Sequence, residues 1–305
     1  MGEFIIEADH ITKRYASHTA LEDVSFHIPI GKVFGMLGPN GAGKTTMIRI
    51  LNQIIAPDEG ELKFNGEKLL PKHIESIGYL PEERGLYKKM KVGEQALYLA
   101  QLKGLKKTDA KEKLKFWFEK FEMMGWWNKK VEELSKGMQQ KVQFVATILH
   151  EPKLLILDEP FTGFDPINTA LVKDEILALK AKGTSIVIST HRMESVEELC
   201  DHIALIHKSR VVMSGSVKDI RKQHKTDIYE IKILHSKESI SSVLSSNYQI
   251  LSSANDDEET TYQVKISGGN ANELIQLASK TGEVHSFKEL VPSMNDIFIQ
   301  TVQNN

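Results

Sequence analysis

The clearest chemical signal in the sequence is one glycine-rich segment, Gly38-Pro39-Asn40-Gly41-Ala42-Gly43-Lys44-Thr45-Thr46. Its spacing is G-x-x-x-x-G-K-[ST], in which backbone N–H groups surround phosphate oxygens and the lysine reaches the outer phosphates. The hydroxyl after the lysine, on Thr45, is of a kind that ligates Mg²⁺. A glycine turn with a surface lysine is the alternative, but a strand before the segment and a helix after it favour a phosphate site.

Acidic residues follow a second apolar run. Leu154-Leu155-Ile156-Leu157 has the character of a strand buried on both faces, and Asp158 and Glu159 come directly after it. Open α/β sheets bind their ligands at the carboxyl ends of such strands, so these acids are predicted to lie near the bound phosphates. A helix cap is the alternative. Another buried strand, 184–190, ends at His191, for which the sequence leaves a structural and a functional role open.

Composition limits the remaining possibilities. The chain has 305 residues, which favours two domains, and 41% hydrophobic with 26% charged residues is typical of a globular protein. A formal charge of −2 argues against a nucleic-acid footprint over the whole surface. The single cysteine, Cys200, lies in an apolar helical context and is predicted to be buried. Since no apolar run could span a bilayer and the start is not a signal peptide, we expect a cytoplasmic protein.

The first two thirds of the chain supply the elements that must position these residues. Residues 4–28 read as strands of an antiparallel hairpin region, and 77–81 as a strand ended by proline. From 92 to about 128 the apolar residues recur at helical spacing, and Leu134-Ser135-Lys136-Gly137-Met138 precedes a helix over 139–150. The aromatic Tyr15 fits base stacking or ordinary strand packing equally well.

The last third has a different character and no phosphate or metal motif. Its pattern predicts strands at 228–234, 248–253, 261–266 and 284–290, helices at 239–245 and 271–281, and a loop at 255–259. A terminal helix is expected to begin at Ser293 as N-cap, with Asp296 three residues on. The order β-α-β-β-α-β predicts a small ferredoxin-like accessory domain.

Together these motifs resemble the nucleotide-binding subunit of an ABC transporter over residues 4–220. The resemblance rests on Tyr15, Gly38–Thr46, Leu134–Met138, Leu154–Glu159, Phe164-Asp165 and His191 in this order. The C-terminal part resembles, more weakly, the extension of bacterial ABC-2-type export ATPases of the sodium- and drug-export kind. The resemblance implies an α/β P-loop NTPase fold of ABC type: a RecA-like core, an antiparallel β subdomain and a helical subdomain at about 89–149, within a domain 1–220. Residues 221–305 would form a small α+β domain.

The resemblance also implies a role for each matching residue, with ATP and Mg²⁺ as cofactors. Tyr15 would stack on adenine, and Lys44 and the backbone of 40–46 would hold the phosphates. Thr45 and, through water, Asp158 would hold Mg²⁺. Glu159 would polarise the attacking water, and His191 would contact the γ-phosphate and sense its loss. Ser135 and Gly137 would complete the site of a second ATPase protomer, which is expected to be another copy of this chain in a homodimer, with a sister ATPase as the alternative. A separate membrane permease is the other implied partner, which would place the subunit at the cytoplasmic membrane. No nucleic-acid partner is expected.

The sequence departs from the family pattern at three positions. Lys136 and Met138 replace Gly and Gln in the family's signature segment, which is Leu134–Met138 here. Glu82 stands where the family has Gln as a Mg²⁺ ligand. A carboxylate can still bind Mg²⁺, but it adds charge and removes a hydrogen-bond donor. Glu82 is therefore predicted as a metal ligand, whereas the family glutamine's other role, as a hinge to the membrane partner, is not carried over to it.

Two other functions occur among proteins with these motifs. A soluble ABC ATPase of DNA repair or translation would carry long coiled-coil insertions or two cassettes, and the sequence has one cassette with no such insertion. A nucleotide-binding regulator without hydrolysis is disfavoured by Glu159. The pattern therefore favours an ATPase that energises an exporter, whose transported substrate would be set by the membrane chain.

Overall fold

The computed structural model describes residues 2–83, 85–235, 238–256 and 258–304. The chain forms two compact units, one made of residues 2–217 together with 301–304, the other of residues 218–300. In the first unit the strands are β1 (Phe4–Tyr15), β2 (His18–Pro29), β3 (Val33–Leu37), β4 (Glu59–Phe64), β5 (Glu67–Lys68), β6 (Ile77–Leu80), β7 (Leu154–Asp158), β8 (Ser185–Ser189), β9 (His202–His207) and β10 (Arg210–Ser216).

The helices up to residue 223 lie between those strands, except the last, which follows β10. They are α1 (Lys44–Leu51), α2 (Val92–Leu102), α3 (Lys107–Lys120), α4 (Lys136–Ile148), α5 (Pro166–Ala181), α6 (Met193–Leu199) and α7 (Val217–Gln223), with short 3-10 helices at Pro71–Ser76, Met124–Trp126 and Val131–Glu133. None of the helices among the described residues is long and apolar enough to cross a membrane.

A six-stranded sheet forms the centre of the first unit, in the order β10-β9-β3-β8-β7-β6. All pairs are parallel except β10 with β9. Every residue of β3, β7 and β8 is buried, as expected of apolar strands covered on both faces. Because these strands run in the same direction as β6, the segments that follow β3, β6, β7 and β8 emerge at one edge of the sheet.

An antiparallel sheet, β2-β1-β4-β5, lies beside the central sheet. Residues of both sheets and of α1 share one hydrophobic core, which includes Ile11, Phe26, Phe34, Met47 and Ile156. The rings of Phe26 and Phe34, one from each sheet, stack with centroids 5.4 Å apart. The helix that follows the glycine-rich segment is therefore held by a core common to both sheets.

The region of helical spacing, 92–128, is two helices and a 3-10 turn. The chain leaves α2 through Gly104, whose φ of +84° suits glycine and ends the helix. The α4 helix begins at Lys136, three residues earlier than expected, since the Ser135 side chain caps it by accepting the Met138 N–H at 3.3 Å. The tryptophans here are packing residues: Trp117 is 8% exposed, and the Trp127 ring meets Phe118 edge-on at 5.3 Å.

In the second unit the described residues form an antiparallel sheet with a helix packed on it. The sheet order is β12-β13-β11-β14, and Leu274 and Ala278 of the helix lie in the hydrophobic core with strand residues. Its elements, with the terminal helix, are β11 (Ile228–Leu234), β12 (Tyr248–Asp256), β13 (Glu259–Ile266), α8 (Ala271–Thr281), β14 (Glu283–Glu289) and α9 (Met294–Asn304).

Two expectations for this unit were wrong and one was confirmed. The helix expected at 239–245 is only a 3-10 turn, Ile240–Ser242, because Ser239, Ser241 and Ser242 form hydrogen bonds within the turn that compete with a helix. The strands on both sides of the loop expected at 255–259 extend into it, and residue 257 lies outside the described residues. The Ser293 hydroxyl accepts the Asp296 N–H at 3.1 Å, which confirms the terminal cap.

Cys200 is also placed as expected. It is 8% exposed, and burial raises the pKa of its thiol to about 12. A thiol that stays protonated is a packing group, because the thiolate is the reactive form.

Candidate active site

The predicted chemical residues meet where four parallel strands end. The glycine-rich loop follows β3, Asp158 ends β7, and His191 lies two residues beyond β8. Asp158 pairs in register with Ser189 of β8, and Leu157 pairs with Leu80 of β6, two residues before Glu82. Residues that are far apart in the sequence are thus brought to one edge of the sheet.

The loop over 38–43 depends on glycine for two different reasons. Gly38 and Gly43 have φ of +149° and +115°, and a Cβ on them would lie 2.2 Å from the Ile206 carbonyl oxygen and 2.4 Å from that of Ala20. Gly41 also has a positive φ, +78°, but a Cβ there would meet no atom within 4 Å. The loop therefore needs glycine at all three positions for its left-handed backbone. At Gly38 and Gly43 it also packs too tightly against β9 and β2 for a side chain.

Alanine at Gly43 should destabilise the chain far more than alanine at Gly41. Gly43→Ala combines left-handed backbone strain with a backbone clash, for a loss of about 3 kcal/mol or more, whereas Gly41→Ala carries the strain alone, about 1 kcal/mol. Urea unfolding of the two variants beside the parent chain measures the difference. Equal losses would show that the loop is not pressed against Ala20.

The lysine of the loop is folded back onto it. Lys44 Nζ donates to the carbonyl oxygens of Gly38 at 2.7 Å and Pro39 at 2.9 Å. Burial lowers the pKa of Lys44, while the nearby carboxylates of Glu159, Asp158 and Glu82 raise it. Since α1 begins at Lys44, its first N–H groups and this ammonium form one positive site next to three acids.

Asp158 is the most buried of these acids, at 4% exposure. Burial raises the pKa of its carboxyl group, and Glu82 and Glu159 raise it further, whereas Ser189 and Lys44 lower it. A buried carboxylate next to other acids is costly without a counter-charge. In this structure the nearby Lys44 ammonium is the positive group that offsets this repulsion.

Glu159 and His191 are in direct contact. The Glu159 Oε1 lies 2.7 Å from His191 Nδ1 and accepts the His191 backbone N–H at 3.1 Å. The Glu159 backbone, with an uncommon φ of +47°, donates its N–H to Ser189 O at 2.8 Å. The segments that follow β7 and β8 thus fix a single carboxylate, that of Glu159, at the sheet edge. Its side chain is 12% exposed.

One member of this cluster was not singled out from the sequence. Thr190 is fully buried, and its hydroxyl donates to Glu159 Oε2 at 3.3 Å and accepts the Arg192 N–H. Its only sequence signal is its place between a buried strand and His191. The contact itself depends on β7 and β8 being neighbours, which the sequence does not state.

The other predicted residues lie on different elements of the fold. Tyr15 ends β1, is 39% exposed, and stacks on His18 at 5.5 Å. Thr45 is exposed in the first turn of α1, and Glu82 is exposed beyond β6. Ser135 and Gly137 stand at the start of α4, where a Cβ on Gly137 would lie 3.2 Å from Gly163 O. Among the described residues no cluster of three or more His, Cys, Asp or Glu side chains could hold a metal alone.

Comparison with known proteins finds two family models that match this chain. The model of the ABC transporter family matches residues 21–162, and that of the C-terminal domain of DrrA1-3-like ATP-binding proteins matches 215–302. The ABC transporter ATP-binding protein YhaQ of Bacillus subtilis is 41% identical over 98% of both chains. The bacitracin transport ATP-binding protein BcrA of Enterococcus faecalis is 31% identical over 73% of both.

A solved structure agrees with the sequence relatives. The ATP-binding subunit of an ABC transporter superposes with a TM-score of 0.68 and 32% identity, covering 72% of this chain and 92% of that one. This likeness confirms the expected α/β P-loop fold of ABC type. The chain therefore belongs to the ATP-binding subunits of ABC transporters, the ATPases that drive transport by a membrane permease.

Proposed function

We propose that the edge of the central sheet binds and hydrolyses Mg²⁺-ATP, and that each site is completed by the signature segment of a second copy. The observation that carries this proposal is the contact of Glu159 with His191, at the same sheet edge as Lys44 and Asp158. Phosphoryl transfer requires positioning and charge neutralisation rather than covalent catalysis, and these residues supply both.

Each residue has a defined task in this proposal. The loop N–H groups and Lys44 bind the phosphates, and Tyr15 stacks on the adenine. Glu159 accepts a hydrogen bond from the attacking water while His191 and Thr190 hold its carboxylate in place. His191, with a side chain 66% exposed, is free to contact the γ-phosphate.

The metal donors are oxygens, as Mg²⁺ prefers. Thr45 offers a hydroxyl, and Asp158 and Glu82 offer carboxylates near Lys44. Mg²⁺ bound there would neutralise charge on the phosphates. The raised pKa of buried Asp158 supports this assignment, because a bound divalent cation would stabilise its charged form.

Glu82 should set how much Mg²⁺ the site requires. Without metal it repels Asp158, so Glu82→Gln is expected to keep hydrolysis and to lower the Mg²⁺ concentration for half-maximal activity, whereas Glu82→Ala should weaken metal-dependent turnover. The measurement is the ATPase rate against Mg²⁺ concentration. Glu83→Gln, an exposed neighbour, is the matched control. Superimposable curves for all four proteins would remove Glu82 from the site.

Trans completion of the site can be tested by mixing two inactive chains. Lys44→Ala has a disabled phosphate loop and Ser135→Arg a disabled signature segment, so neither should turn over ATP alone. A mixed dimer would contain one intact loop facing one intact signature segment, and the mixture should regain part of the parent activity. Continued inactivity of a mixture that forms dimers would show that each site lies within one chain.

The transport role places the subunit at a membrane through a separate permease. We infer outward transport from the resemblance of the C-terminal part to export ATPases, and residues 215–302 match the C-terminal domain of DrrA1-3-like ATP-binding proteins. Copurification of the full chain with an integral membrane protein, released together by mild detergent, tests this assembly. Recovery of the chain without any membrane protein would contradict it.

A further inference from the structure

An ion pair between a buried carboxylate and a lysine whose side chain is 38% exposed takes no part in the chemistry described above. Glu175 of α5 is 2% exposed and forms an ion pair with Lys120, the last residue of α3. It shares the buried face of α5 with Val172, Ile176 and Leu179. Its second oxygen, Oε1, has no hydrogen-bond partner among the described residues. The carboxylate therefore depends on Lys120 for compensation.

Such a pair is a costly way to join two helices. Well-packed apolar side chains of similar volume are often as stabilising as a buried ion pair, but they do not fix direction in the same way. A carboxylate that cannot reach solvent tolerates only positions in which the ammonium stays beside it. The pair is thus suited to setting the position of α3 on α5.

Aromatic contacts connect Lys120 to the helix that carries the signature segment. Lys120 Nζ lies 5.1 Å from the centre of the Trp117 ring, which is 6.0 Å from Phe121. Phe121 in turn lies 6.0 Å from Phe144 of α4, and both of these rings are buried. A displacement of α3 would therefore be transmitted to α4, whose N-cap is Ser135.

A second contact connects α4 with the segment just before α5, at the N-terminal end of that helix. Gly137, in the first turn of α4, lies against the carbonyl of Gly163, three residues before α5 begins. From Pro166 to Glu175 the helix spans about 14 Å at 1.5 Å per residue. Two attachments this far apart fix an orientation, whereas either one alone would leave α4 able to rock.

We propose that Lys120 and Glu175 are positioning residues, which hold the signature segment at Ser135 and Gly137 in the orientation needed to complete the ATP site of a second copy. This inference rests on the proposed two-copy site. It requires that the pair act through orientation and not only through stability, and that difference is measurable.

Four changes of the pair distinguish a role in orientation from a role in stability alone. Lys120→Met and Glu175→Gln break the pair, Lys120→Arg keeps it, and the double variant Lys120→Met with Glu175→Leu replaces it by apolar packing of similar size. Glu198→Gln is the matched control, because it breaks the ion pair of Lys173, also on α5, with a carboxylate of α6. In the full chain, kcat and KM for ATP are measured together with the midpoint temperature of thermal unfolding. In the Glu159→Gln background, light scattering gives the ATP concentration for half-maximal dimer formation.

The double variant decides the outcome. We expect it to fold as stably as the parent, yet to lose about tenfold in kcat and to need about tenfold more ATP to dimerise, a coupling of ordinary size. ATP binding to the single chain, Lys120→Arg and Glu198→Gln should all stay at parent values. Parent-like kcat and dimerisation in the double variant would overturn the proposal, even if the single variants do not fold. A Glu159→Gln parent that fails to dimerise with ATP would overturn the two-copy site itself.

Discussion

Replacing Glu159 with glutamine is expected to reduce ATP turnover by about 10³-fold, the size of effect ascribed to a positioned general base. The amide cannot accept a proton from water, whereas the phosphate loop and Lys44 are unchanged. ATP affinity should therefore stay within about twofold of the parent value, because the change lies outside the phosphate contacts. Steady-state phosphate release and equilibrium binding of a fluorescent ATP analogue measure the two quantities.

The control for this variant is another acid close by. Glu194 is exposed near the start of α6, so Glu194→Gln should leave both quantities unchanged. If Glu159→Gln kept near-parent turnover, the assigned role of Glu159 would be lost. If it lost ATP binding instead, the carboxylate would be supporting the phosphate loop.

Replacing Asp158 with asparagine should reduce Mg²⁺-dependent turnover by about 100-fold and at the same time make the ligand-free chain more stable at pH 7. Turnover falls because a charged metal ligand is lost, and metal ions supply several kcal/mol of charge stabilisation in such reactions. Stability rises because the native carboxylate is buried, next to other acids, and its pKa is raised.

The sign of the pH dependence follows from that shift. Between the ordinary value near 3.8 and the raised pKa, the folded chain retains a proton that the unfolded chain has released. The contribution of Asp158 to stability therefore falls as pH rises through this window. Urea unfolding should show that Asp158→Asn gains most at pH 7 and that the gain narrows toward pH 4. Asp174→Asn, on the exposed face of α5, should show neither effect. A variant less stable than the parent at pH 7 would contradict the electrostatic account.

Local pattern made much of the site predictable. The glycine-rich loop, Asp158, Glu159 and His191 each follow an apolar strand, and parallel strands bring their ends to one edge. The contact between Glu159 and His191 was not predictable in the same way, because it depends on β7 and β8 being adjacent. Sheet order is a tertiary property that one sequence does not state directly.

Two other features could not be predicted from the local sequence pattern. A helix is predicted at 239–245, but serine hydroxyls there form local hydrogen bonds, and only a 3-10 turn forms. Lys120 and Glu175 look like surface charges on separate helices, 55 positions apart. Only the packing of α3 on α5 shows that one of them is buried and depends on the other.

The central claim is that ATP closes two copies of this chain around a shared site. The most direct measurement is the mass of the full-length Glu159→Gln chain by light scattering, with Mg²⁺ and with or without ATP. Because this variant binds ATP without consuming it, the account predicts a monomer without ATP and twice that mass with it. A mass that stays monomeric at saturating ATP and high protein concentration would contradict the claim.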